Sequence, residues 1–209
     1  MNPYARLLFP RLLDWSMSGE ITARYRRQVL KDLSGDVLEI GCGTGLNFPY
    51  YPSSLQTLVA SDPNPGMLAI ARKRQQELPF AIELVEAGGE ALPFASDRFD
   101  AVVSTWTLCS IPDSAAALAE FQRVLKPGGK FVFVEHGLSP EQSVQTWQNR
   151  LTPIQKRIAD GCHLNRNIAQ LVESAGFAIA SLEHLYMPDI PKVLGYLYLG
   201  AALKPTSAA

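Results

Sequence analysis

From residue 36 onward, short apolar runs alternate with stretches whose apolar residues recur at helical spacing. The runs cover 36–40, 55–61, 81–85, 101–104 and 130–135, and each is bounded by Gly, Pro, Asp or Asn, which marks them as strands. Residues 66–78 and 114–125 between them read as helices. Strands alternating with helices predict βαβ units, hence a parallel sheet covered on both faces, and right-handed crossovers make the layout doubly wound α/β. Lys126-Pro127-Gly128-Gly129 stops the second helix and turns the chain into a strand starting at about residue 130, because proline cannot continue a helix and glycine accepts left-handed angles. Beyond it the pattern changes. A helix near 165–175 ends at Gly176, and 177–186 and 194–203 read as two strands joined by a loop without a helix, so they must pair antiparallel. The expectation is a seven-stranded, mostly parallel sheet closed by a reversed C-terminal hairpin, with a disordered tail over 205–209.

The chain has 209 residues, 47% hydrophobic and 19% charged, enough for one substantial core in one domain. Nineteen basic against 20 acidic side chains leave a net charge of -1, so nothing global argues for nucleic acid as a partner. Cys42, Cys109 and Cys162 form no C-x-x-C pair, which suits a reducing, cytoplasmic setting better than a disulfide framework. There is no apolar run of 18 residues, and the apolar stretch 7–13 is broken by Pro10 and Arg11, which suits neither a spanning helix nor a signal peptide. Residues 1–31 carry six basic against two acidic side chains, a local +4, beside Leu7, Leu8, Phe9, Leu12, Leu13 and Trp15. That combination fits peripheral contact with an anionic membrane surface; the preferred reading is an ordinary helix with solvated arginines.

The chemistry concentrates where the first strand ends. Val37 to Gly45 reads VLEIGCGTG, with Gly41, Gly43 and Gly45 at alternate positions. Such a turn can take φ angles closed to other residues and press its backbone against a ligand. A dinucleotide-binding turn reads G-x-G-x-x-G and sets a helix N-terminus against a pyrophosphate; here the third glycine comes one residue early, which suits a ligand without phosphates. Asp62 follows the second strand, 21 residues after Gly41, where a nucleotide-type fold places the acid that takes both ribose hydroxyls. The alternative is a helix cap before Asn64, for which Pro63 and Pro65 also argue. Met67 lies one turn into that helix and suits either an adenine face or the core.

With acidic Glu39 two residues before the first glycine, the turn resembles motif I of class I S-adenosylmethionine-dependent methyltransferases. The resemblance implies that Glu39, Gly41, Cys42, Gly43, Gly45, Asp62 and Met67 bind S-adenosylmethionine. It also implies a Rossmann-like fold in which helices of residues 1–35 cover the cofactor pocket of a 36–209 methyltransferase domain, the whole forming one globular unit. The loop Ala87-Gly88-Gly89-Glu90-Ala91-Leu92-Pro93-Phe94 is similar to the family's adenine segment, usually acidic-Ala-Glu-x-Leu-Pro-Phe. Gly88 stands where many members place an Asp, so adenine contact would fall to Gly89 and Glu90. Thr105 lies at the carboxyl end of the fourth strand, whose 104–109 segment opens into the same crevice.

Asp62-Pro63-Asn64-Pro65, Leu108-Cys109-Ser110, Glu135-His136, Trp147-Gln148, Asp160-Gly161-Cys162 and Gly195-Tyr196 together look like the methyltransferase-like-seven family. Its animal members are membrane-associated and methylate small lipophilic thiols. No apolar run of this sequence is long enough to match their hydrophobic anchor, so membrane attachment of that kind is not expected. The resemblance implies a small lipophilic acceptor, with a thiol first and oxygen, nitrogen or a lipid precursor behind it. Methyl transfer is an in-line displacement, so alignment, worth on the order of 7–11 kcal/mol, counts for more than one general base at about 10²–10⁴-fold.

His136 is the candidate to take a proton or orient the acceptor, since its ordinary pKa near 6.5 suits the role; a strand-end histidine bonded to backbone fits equally well. His163 beside Cys162 reads as a structural pair, because no further ligands stand at zinc spacing, and no metal is expected. Cys109 reads as a buried small side chain. Trp106, Trp147, Tyr186, Met187 and Tyr196 are candidates for an acceptor pocket or for core. Two other readings remain. A nicotinamide oxidoreductase would need a phosphate-binding turn and a Tyr-x-x-x-Lys pair, both missing here. A non-catalytic cofactor-binding protein would keep the fold and lack the chemistry.

Overall fold

A computed structural model of the chain describes residues 4–206; of the expected disordered tail, residues 207–209 lie outside the described residues. Seven strands, β1 (Asp36–Ile40), β2 (Thr57–Ser61), β3 (Glu83–Val85), β4 (Phe99–Thr105), β5 (Leu125–His136), β6 (Ala178–Tyr186) and β7 (Tyr196–Leu203), form one sheet in the order β3-β2-β1-β4-β5-β7-β6. β1 to β5 pair in parallel, and β7 runs antiparallel to both β5 and β6. The reversal therefore falls on β7 alone.

Side chains alternate between the two faces, as the pleat requires. Leu38, Ile40, Val102, Phe131 and Phe133 pack on one face with α4 (Ser114–Val124) and α6 (Ile168–Ser174). Val37, Ala101, Val103 and Val132 pack on the other with α2 (Glu20–Leu30) and α3 (Pro65–Gln75). Before these lie a π-helical turn, Tyr4–Leu8, and α1 (Phe9–Met17).

Two local expectations need correction, and one helix was not expected. The strand after Lys126-Pro127-Gly128-Gly129 does not begin at residue 130. Leu125 already pairs with Phe99, and the Pro-Gly-Gly segment is a bulge before Lys130 pairs with Ala101, because Gly128 at φ +74° lets the chain step out of register and return. The C-terminal hairpin carries a one-turn helix, α7 (Lys192–Gly195), where a plain loop was expected. A 17-residue helix, α5 (Gln142–Ile158), also occupies the span between β5 and α6. Its buried positions are Val144, Gln148 and Thr152, an i, i+4, i+8 stripe that is mostly polar, and Pro153 inside it reads as a helix breaker.

The sheet order reverses direction between β1 and β4. At such a switch point the connections leave the carboxyl ends on opposite faces, which opens a crevice there. The glycine turn after β1, Asp62 after β2, the 105–109 segment after β4 and His136 at the end of β5 all converge on it.

Candidate active site

A cavity of about 960 Å³ fills this crevice. Of the residues singled out in the sequence, Glu39, Gly41, Cys42, Gly43, Asp62, Met67, Gly89, Glu90, Thr105 and His136 line it. Gly45 does not; it packs against Phe48 and closes the turn through its amide on the Cys42 carbonyl. At Gly43, φ is +54°, and a Cβ added there would meet nothing nearer than Met67 Sδ at 4.0 Å, so the bare backbone itself forms cavity wall. A Cβ on Gly41 would overlap the Thr107 side chain.

Asp62 is not the helix cap. Asn64 caps α3, its side chain accepting the Gly66 amide. The Asp62 carboxylate accepts the Gly43 amide at 2.9 Å on one oxygen and the Asn64 amide at 2.8 Å on the other. Each oxygen keeps a lone pair for a further donor. Burial pushes its pKa up to about 6 against those two amides. Glu39 lies deeper, accepting from Asn47 at 2.8 Å and from Tyr51 at 3.0 Å. Burial raises it to about 7, opposed by these two bonds and by the Arg26 charge.

Arg26 comes from α2 and was missed in the sequence, where it reads as one arginine among several. It is buried, donates to the Met17 carbonyl at 2.9 Å and stacks on the Trp106 ring; burial lowers its pKa to about 10. Among the described residues, three buried side-chain polar atoms have no hydrogen-bond partner: Arg26 Nε, Asn47 Oδ1 and Trp106 Nε1. All three residues line this cavity. Unpaired buried polar atoms are rare because each forfeits its water contacts without compensation. A donor of this kind suits a carboxylate and an acceptor suits an ammonium, so the cavity fits an amino-acid zwitterion joined to a ribose.

Tyr4, Phe9, Leu12, Leu13, Trp15, Ser16 and Met17 of the N-terminal segments also line the cavity. They are tied to the glycine turn through Asp14, which accepts from Thr44 and pairs with Arg74 of α3 at 3.0 Å, while Arg74 also donates to the Thr44 carbonyl.

A second cluster was missed. Glu135, fully buried, accepts from Ser104 at 2.7 Å and from the amides of Thr107, Leu108 and Cys109 at 3.0, 3.0 and 3.2 Å. Burial raises its pKa, and the four donors oppose the shift. This carboxylate fixes the loop after β4, where Trp106 adopts φ +50°, a costly conformation for a bulky residue. The loop sets Cys109 beside His136 and Cys162. Cys162 Sγ lies 3.6 Å from Cys109 Sγ and 3.2 Å from His136 Nε2. The Cys109 thiol and the imidazole together bring Cys162 down to about 5. Burial alone would depress His136, but its contact with Cys162 carries it upward.

His163 stays outside this trio, its Nδ1 against the Cys109 carbonyl. Of the acceptor-pocket candidates, Trp106 and Met187 reach the cavity. Tyr186 and Tyr196 stack in an aromatic cluster with His184 and Tyr198, and Trp147 stands exposed on α5.

Comparison with known proteins agrees with this geometry. The family model described as a methyltransferase domain matches residues 38–133. Thiol S-methyltransferase TMT1B of Rattus norvegicus is 34% identical, over 93% of this chain and 87% of its own. The chain is a class I S-adenosylmethionine-dependent methyltransferase. Thiol S-methyltransferase TMT1A of Homo sapiens is 38% identical to this methyltransferase over 73% of the chain and 64% of its own. A solved S-adenosylmethionine-dependent methyltransferase of Mesorhizobium loti shares the methyltransferase fold with a TM-score of 0.66 at 20% identity, covering 90% of this chain and 99% of that one. Among the described residues, no helix of the methyltransferase is long and apolar enough to cross a membrane.

Proposed function

We propose that this methyltransferase transfers the methyl group of S-adenosylmethionine to the sulfur of a small, lipophilic thiol. The observation that carries the reading is the cavity's mixed lining. Polar and backbone groups, Gly43, Asp62 and Asn47, line it together with apolar side chains, Leu12, Trp15, Ile158, Met187, Ile190 and Leu194; the first set suits the cofactor and the second a lipophilic acceptor. The names of the relatives in rat and human, thiol S-methyltransferases, support sulfur as the acceptor atom.

Asp62 takes the ribose hydroxyls, the Gly41–Gly43 backbone with Asn47 and Arg26 holds the amino-acid end, and Gly89 and Glu90 border the adenine. Glu39 acts through Asn47, to which it is bonded. When bound, the cofactor supplies an electrophilic methyl carbon on a sulfonium leaving group. The chain then has three tasks: to align the acceptor, to keep water out and to accept a proton from the acceptor sulfur. His136, which lines the cavity, is the group for the last of these. A thiol of ordinary pKa near 8.5 is already partly ionised at neutral pH, so alignment dominates.

Leu12, Trp15 and Ile158 line the cavity and are solvent-exposed, as are Leu7, Leu8 and Ile154 near them in sequence; together they offer an apolar rim. With Arg6 and Arg11 nearby, this rim would rest against an anionic membrane that holds the acceptor. Turnover of labelled cofactor with a panel of small thiols, phenols and amines tests the reading. Methylation of apolar thiols at least about tenfold faster than of phenols and amines supports it, and a preference for phenols or amines overturns it. Sedimentation with phosphatidylserine vesicles tests the membrane contact. Loss of binding in Leu8→Ser/Trp15→Ser supports it, and no binding by wild type overturns it.

A further inference from the structure

We propose that Cys109, His136 and Cys162 form a zinc site whose fourth position opens into the cavity and takes the acceptor sulfur. The three come from separate elements, the loop after β4, the end of β5 and the loop after α5, so the fold must bring them together. It does so in the interior. All three are buried, and their ligand atoms lie within 4.8 Å of one another.

The distances have the scale a metal imposes. Zinc–sulfur bonds of about 2.3 Å and zinc–nitrogen bonds of about 2.0–2.1 Å at tetrahedral angles put two sulfurs about 3.8 Å apart and a sulfur and a nitrogen about 3.6 Å apart. Two of the three separations, 3.6 Å between the sulfurs and 3.2 Å from Cys162 Sγ to His136 Nε2, lie within a few tenths of an ångström of these, and the third pair lies within 4.8 Å. Two thiolates and an imidazole are a donor set that selects zinc over magnesium or calcium. The two sulfurs stand well beyond the roughly 2.05 Å of a disulfide bond, and both cysteines are free.

Three protein ligands rather than four distinguish a catalytic zinc site from a structural one. Here all three residues line the same cavity as Gly43 and Asp62, so the open position faces the reaction. Glu135 supports the site from behind by fixing the Leu108 and Cys109 amides, the kind of outer contact that orients metal ligands.

This role rests on the thiol reading above. Coordination takes over the deprotonation assigned above to His136, which here is a ligand: the acceptor R–SH loses its proton to solvent and binds as R–S⁻, displacing water. The thiolate's lone pair then forms the new S–CH₃ bond, while the methyl–sulfonium bond breaks with its electron pair staying on the cofactor's sulfur. The product R–S–CH₃ is neutral, a weak ligand, and leaves as water returns. A site of this kind favours thiols over phenols and amines through its softness.

The test uses the full-length protein, freed of metal by a chelator under reducing conditions and titrated with Zn²⁺ and with Co²⁺. The proposal expects one equivalent of either metal per chain and, for Co²⁺, the intense visible bands of a tetrahedral site together with thiolate charge-transfer absorption. Adding benzyl mercaptan should then change those bands, and Cys109→Ser/Cys162→Ser should lower metal affinity at least about a hundredfold. Less than half an equivalent of metal in wild type, a Cys109–Cys162 disulfide found by mass spectrometry in protein prepared without reductant, or undiminished affinity in the double variant overturns the site. Cobalt bands unmoved by the thiol overturn the open fourth position. S-adenosylhomocysteine binding, measured on the same metal-free sample, separates this question from the methyltransferase reading: metal loss should leave that affinity unchanged. Thiol-responsive cobalt with no thiol methylation would overturn the proposed function and leave the site standing.

Discussion

The two ends of the cavity are built on opposite principles. At the cofactor end the wall is backbone, shaped by glycines in a turn and steadied by Asp62, whose oxygens hold the Gly43 and Asn64 amides. At the acceptor end the wall is side chain, with Cys109, His136 and Cys162 gathered from positions 26 or more residues apart in sequence, Cys109 being held through its amide by the buried carboxylate of Glu135. A nucleoside presents the same shape to every enzyme of the family, and a local turn can meet it. An acceptor differs from enzyme to enzyme, and side chains on separate elements can change without disturbing the sheet. Thr107 joins the two ends, its hydroxyl on the Gly41 carbonyl and its amide on Glu135.

The largest effect should come from the acceptor end. Glu135→Ala leaves three amides and a hydroxyl without an acceptor in the interior, at about 1–3 kcal/mol each, so chemical denaturation should show at least about 4 kcal/mol of lost stability. A loss under about 1 kcal/mol would mean that the loop after β4 is held by something else.

At the cofactor end the corresponding carboxylate, Glu39, is likewise raised by burial, and its effect on stability can be followed with pH. Glu39 titrates near 7 in the folded chain against an ordinary 4.5, so the unfolded state gives up its proton first as pH rises. Stability of the cofactor-free protein should therefore fall between about pH 4.5 and 7 and stay lowered above that, by up to about 3 kcal/mol from this group. Asp62, raised to about 6 from 3.8, adds a smaller loss with the same sign over a lower window. Glu39→Gln should flatten its share of the slope in denaturation curves taken across that range; an unchanged slope contradicts the assignment.

Gly43→Val would push a side chain into the cofactor end at a positive φ. It should weaken S-adenosylhomocysteine binding on the order of a hundredfold, about 2.7 kcal/mol, with zinc content unaltered. Equal losses of both would show that the ends are not separable. The smallest effect belongs to the N-terminal latch. Asp14→Ala removes a partly exposed pair with Arg74, worth about 0.2–1 kcal/mol. A few-fold weaker cofactor binding in calorimetry should follow.

The cofactor end was also the more legible of the two in the sequence. Glycine spacing and the acid after the second strand are local signals, and five strands followed from apolar runs bounded by turn residues. What escaped is tertiary. Arg26 has no neighbour in sequence that marks it as buried, and α5 hides because its inward stripe holds Gln148 and Thr152. Gln148 is satisfied by Ser139, Gly137 and Val193, contacts that no periodicity predicts. The Cys-His trio is invisible to motif spacing because its residues lie on three elements that meet only once the sheet has formed. Gly45 shows the converse: its motif position suggests ligand contact, and the structure packs it against Phe48 outside the cavity lining.

The division of labour between the two ends is tested most directly by calorimetric titration of S-adenosylhomocysteine into wild type, Asp62→Ala and Cys162→Ser. The account predicts clear binding by wild type, a loss of at least about tenfold, or 1.4 kcal/mol, in Asp62→Ala, and wild-type affinity in Cys162→Ser. Wild-type affinity in Asp62→Ala, or an equal loss in Cys162→Ser, would contradict it.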